Sequence, residues 1–126
     1  MEVEIYRFGT PVMPCTVAWL REQLQFRDEN GYASYWLWHG NGNQMGVMFN
    51  YQQAYVYFFS NKKENSFALP TVAPENPDEL VAFLADNHEP TPMPKWTVVD
   101  AAIAEEAIII FFESGERLST VAWGEL

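Results

Sequence analysis

The chain is short of the residues that carry most enzyme chemistry. In 126 residues it has one cysteine, Cys15, and two histidines, His39 and His88. A lone cysteine closes no internal disulfide, which points to a reducing, cytoplasmic setting. A zinc deaminase needs His-x-Glu and a later Pro-Cys-x-x-Cys, because three ligands must hold the metal while the glutamate moves protons. Pro14-Cys15 is present, but Ala18 stands where the second cysteine belongs. His39-Gly40-Asn41 and His88-Glu89-Pro90 do not give His-x-Glu either. A thiolate at Cys15, at a helix start, has no base named by any spacing, so a structural cysteine is the reading. Glu105 and Glu106 are adjacent, about 100° apart around a helix, and do not converge as a glycosidase pair. Gly40 and Gly42 are followed by no Lys-Ser/Thr, so they form no phosphate loop. The expectation is a protein without catalysis, metal or cofactor.

Long apolar runs are missing too. None approaches the roughly 20 residues of a membrane span, and the opening MEVEIYRFGT has no basic segment of the signal-peptide kind. Bases are scarce: 7 Lys and Arg stand against 17 Asp and Glu, a net charge of −10. The imbalance is local. Residues 75–126 hold eleven acids and two bases, Lys95 and Arg117, against six and five in residues 1–74. Such a field repels nucleic-acid phosphate and attracts a basic partner, and it also keeps a protein soluble.

Apolar residues, by contrast, are plentiful: 48% of the chain is hydrophobic and 16% aromatic, enough for the core of one domain spanning 1–126. Val3–Phe8 reads as a strand broken by Gly9-Thr10-Pro11. Val17, Trp19, Leu20 and Leu24 make the stripe of a helix over Thr16–Arg27. A meander follows: Tyr32–His39, a Gly40–Asn43 turn, Gln44–Asn50, Ala54–Ser60 and Ser66–Val72, with Pro70 placing the last end at a sheet edge. Residues 80–85 fit either a helix begun at Asn76-Pro77 or a strand, and the strand is preferred. A second helix runs from Thr97 as N-cap through Val98–Ser114 and ends at Gly115, with Ile103, Ala107, Ile110, Phe111 and Ser114 on one face. Val121–Trp123 returns as a short strand. The fold class is α+β, an antiparallel meander of four to six strands packed on two helices.

The last third also resembles immunity protein family one, from bacterial polymorphic toxin systems. The matching positions are Val99, Asp100, Ala107, Phe111 or Phe112, Gly115, Glu116, Arg117, Val121 and Trp123; Leu118 stands where the family has proline. The resemblance implies a cytoplasmic inhibitor that occludes the active site of a cognate toxin of the nucleic-acid deaminase type. It does not locate the interface. On the second helix Ile109 and Phe112 lie away from Ile103 and Ala107, beside acids. This suggests a partner-binding patch of Glu105, Ile109, Phe112, Glu113 and Glu116, unless another element covers it. The meander offers a rival surface, since Tyr35 and Leu37 oppose Trp36 and Trp38, and Tyr55, Tyr57 and Phe59 oppose Val56 and Phe58. A small-ligand binder or enzyme with an aromatic pocket is the alternative function. Self-association stays open.

Overall fold

The structure is a computed structural model that describes residues 3–13 and 16–126; Pro14 and Cys15 lie outside the described residues. Ten strands and two helices follow one another as β1 Val3–Arg7, β2 Thr10–Val12, α1 Val17–Gln23, β3 Tyr32–His39, β4 Gln44–Asn50, β5 Gln53–Phe59, β6 Asn65–Ala68, β7 Leu80–Val81, β8 Met93–Pro94, β9 Val99–Asp100, α2 Ala101–Ser114 and β10 Trp123–Glu125. The fold is α+β. Eight strands form one sheet, ordered β10-β6-β5-β4-β3-β1-β2 with β9 added on β5, and β7 pairs β8 apart from it. Every pairing is antiparallel.

The meander β3–β6 is the expected one; the sheet exceeds six strands through short pieces at its margins. Phe8 and Gly9 turn at positive φ, so the chain does not simply break there. Thr10–Val12 folds back as an edge strand, where Pro11 costs no ladder bond. β6 ends at Ala68 and is covered by β10, so Pro70 marks no sheet edge. Of residues 80–85 only Leu80–Val81 form a strand, with Leu84 in an isolated bridge to Pro90; Val81 and Phe83 are buried, Leu80 and Ala82 exposed.

Both helices lie on one face. Alternation puts Ala33, Tyr35 and Leu37 of β3, Met45, Val47 and Phe49 of β4, and Ala54, Val56 and Phe58 of β5 against Leu20 and Leu24 of α1 and Ala104, Ile108 and Phe111 of α2. α1 starts where Thr16 Oγ1 accepts the Trp19 amide at 3.1 Å, and ends short of Arg27. That arginine instead donates to the Leu24 carbonyl at 2.9 Å and stacks over Phe49. The N-cap position of α2 is Asp100, not Thr97, and the Asp100 side chain makes no capping hydrogen bond. The β-branched Val98 and Val99 keep the chain extended, β9 pairs with β5, and the Ala101 amide finds the Gln52 carbonyl at 2.8 Å. Thr97 ends a short 3-10 turn and donates to the Pro94 carbonyl.

The other end of α2 is pinned by the β3–β4 turn. Gly115 sits at φ 73, and its carbonyl accepts from Asn43 Nδ2 at 2.8 Å and Asn41 Nδ2 at 3.3 Å. His39 Nδ1 accepts the Asn41 amide at 3.0 Å, and Asn43 Oδ1 accepts the Asn61 amide at 2.8 Å. A Cβ on Gly115 would lie 2.4 Å from Asn41 Nδ2 and 2.5 Å from His39 Nδ1. Gly115→Val is therefore expected to cost about 2–4 kcal/mol, combining left-handed strain with overpacking. Urea denaturation checks this, and an unchanged midpoint would contradict it.

Candidate functional site

The acidic patch expected on α2 is not assembled. Ile109 is only 2% exposed and belongs to the core. The reason is α1. Gln25 hydrogen-bonds the Glu105 carboxylate, and Arg21 pairs with Glu106 at 2.7 Å, which sets α1 along that side of α2. Phe112 is half-buried and packs on the same core. Glu113 and Glu116 are exposed, but Glu116 lies past the cap, with its carboxylate 3.5 Å from Asn41 Nδ2 and Asn43 Nδ2. α2 is apolar on two sides because one meets the sheet and the other meets α1.

The sheet's second face is where aromatic surface stays open. Cross-strand neighbours align in a row, Tyr6, Trp36, Gly46, Tyr57 and Phe67, running from β1 to β6. A parallel row holds Glu4, Trp38, Gln44, Phe59 and Asn65. Gly46 is required: a Cβ there would lie 2.5 Å from Trp36 Cζ3, so the glycine lets the indole lie across β4 toward Phe59, 5.5 Å between ring centroids. Trp36 Nε1 donates to Gln44 Oε1 at 3.1 Å. Trp38 is 43% exposed.

The connection after β6 covers the rest of this face. Val81, Phe83 and Val98 pack on Met48, Tyr55 and Phe67 as a second, smaller core. Its boundary with the open rows is a cleft of about 380 Å³. Ser34, Trp36, Gly46 and Tyr57 form its floor and wall, and the turn carrying Asp86 and Glu89 forms its lip. Ser34 Oγ donates to Asp86 Oδ1 at 2.9 Å. The lip residues are exposed or half-exposed, so this is an open cleft and not a closed aromatic pocket.

The histidines do not join it as a catalytic set. His39 is buried against the edge of Phe111, and His88 stacks on Phe8 at 4.2 Å. Among the described residues no three His, Cys, Asp or Glu side chains gather as a metal group, and no helix is long and apolar enough to cross a membrane. Compared with models of known protein families and with curated protein sequences, the chain matches none.

Burial raises the pKa of the Tyr55 and Tyr57 hydroxyls, with the neighbouring Tyr57 adding to the effect at Tyr55. Burial also raises that of Tyr35, opposed by the nearby Arg7 and Arg27. A hydroxyl whose pKa rises on folding contributes stability that is full below the unfolded value of about 10 and is lost as pH climbs through the folded value. Phenolate absorbance is expected to show these three of the six tyrosines ionising late, and stability is expected to fall with pH only above about 10. Tyr55→Phe should remove the largest part of the lag. Ionisation of all tyrosines together near pH 10 in the folded protein would contradict the burial assignment.

Proposed function

We propose that this chain is a cytoplasmic inhibitor of a basic protein, an immunity protein of the kind its last third resembles, and that it docks through the second face of the sheet. The observation that carries the reading is the aromatic shelf of exposed Trp38 and half-buried Trp36, Tyr57 and Phe59 on a protein of net charge −10. Tyr and Trp combine large apolar area with few rotatable bonds, which suits an interface anchor. A toxin acting on nucleic acid, a deaminase among them, must hold phosphate and so presents a basic cleft. An acidic protein fills that cleft without binding nucleic acid itself. Opposite fields raise the encounter rate, while the central aromatics set the lifetime of the complex.

The reading is tested by capturing the product of the adjacent gene on the purified chain, then measuring whether co-expression restores growth to cells making that product. No capture and no rescue would overturn it. Trp38→Ala removes a half-exposed side chain, so folding is little affected. Affinity should fall by about 2 kcal/mol or more, mainly through faster dissociation. Added salt should slow association of the parent. Phe112→Ala, by contrast, should lower stability and leave the folded protein's affinity near the parent's. The opposite pattern would return the interface to α2.

A further inference from the structure

We infer that the cleft between Trp36 and the Asp86–Glu89 turn receives a guanidinium group, the side chain of an arginine presented by the protein partner; this rests on the inhibitor reading above. Three observations converge. First, two of the lining side chains are aromatic, Trp36 and Tyr57. Trp36 lies over Gly46 with Tyr57 as its cross-strand neighbour on the other side, and a planar cation stacks on such rings.

Second, the charge at the lip is unanswered. Asp86 and Glu89 are the charged residues of the lining, and neither belongs to an ion pair among the described residues. The basic residue on β1, Arg7, is turned to the opposite face, where it lies 4.1 Å over Phe26.

Third, the lip is held in place before any ligand arrives. Ser34, only 3% exposed, fixes Asp86 from the sheet. The Ala85 amide donates to the Glu89 carbonyl at 2.9 Å, and the His88 amide donates to the Ala85 carbonyl at 2.9 Å. Asn87 Oδ1 accepts the Glu89 amide at 3.0 Å, and the Phe8 ring stacks on His88. A fixed carboxylate beside a fixed indole matches the flat, fork-shaped guanidinium better than the compact ammonium of lysine. No proton or electron moves; the site binds by stacking and by charge.

The test is an NMR titration of the isotope-labelled chain with N-acetylarginine amide, with N-acetylcitrulline amide as the neutral isostere. The arginine compound is expected to shift the Trp36 indole and the Asn87 and Glu89 amides saturably. The citrulline compound should bind at least about tenfold more weakly. Asp86→Asn combined with Glu89→Gln keeps the shape of the lip and should weaken arginine binding by a similar factor. Equal shifts from both compounds, or no saturable shift at Trp36, would overturn the assignment without relying on any variant folding. If toxin capture persists while arginine fails to bind, this inference falls and the inhibitor reading stands. If arginine binds and no toxin is captured, the cleft assignment stands and the inhibitor reading falls.

Discussion

Strands β3, β4 and β5 carry large apolar side chains on both faces, and a single layer of helices can cover only one of them. Everything else in the structure answers that constraint. α1 and α2 take the face with Tyr35, Val47 and Phe58. Their position is fixed by contacts at both ends of α2: β9 paired to β5 at its start, and the Asn43–Gly115 bond at its finish. The long connection between β6 and β9 then lies over Met48, Tyr55 and Phe67 but stops short of Trp38 and Phe59. What remains is an aromatic shelf with acids along its border. Leaving such a surface in water is unfavourable, at roughly 25 cal/mol per Å² of apolar area, and the proposed function uses it as a docking face.

The same logic explains why Ile109 of α2 is buried. The two apolar sides of the helix both have internal partners, and Arg21 and Gln25 occupy Glu106 and Glu105. The Arg21–Glu106 pair is solvent-exposed and serves to orient α1 more than to stabilise it. Charge then acts at two ranges in the proposed function. The net field steers a basic partner from a distance, and it weakens beyond a Debye length of about 8 Å at physiological salt. Asp86 and Glu89 act at contact, beside a ring system that excludes water from one side.

Local patterns in the sequence carried the elements whose causes are local. The bounds of β3 and β4 follow from dense aromatic and apolar runs closed by a Gly-Asn turn, α1 begins beside Thr16, and Gly115 ends α2. Features set by distant contacts were not legible. Thr97 fits the pattern of an N-cap, yet pairing with β5 keeps Val99–Asp100 extended and moves the helix start to Ala101. Ile109 lies on a second apolar side of α2, and only the docking of α1 decides that it is buried. The Asn41 and Asn43 side chains read as turn residues; their role in capping α2 spans more than seventy residues of chain. The cleft brings together Ser34, Gly46 and Asp86 from three separate segments. Gly46, inside an otherwise apolar strand, was the one sequence signal of a close approach there.

The most direct measurement is hydroxyl-radical footprinting of aromatic side chains in the free chain and in its complex with the captured toxin. Trp36, Trp38 and Phe59 are expected to lose reactivity on binding, while Trp19 and Phe26 on the helical side keep theirs. Protection of Phe112 with Trp38 unchanged would contradict it and place recognition on the helices.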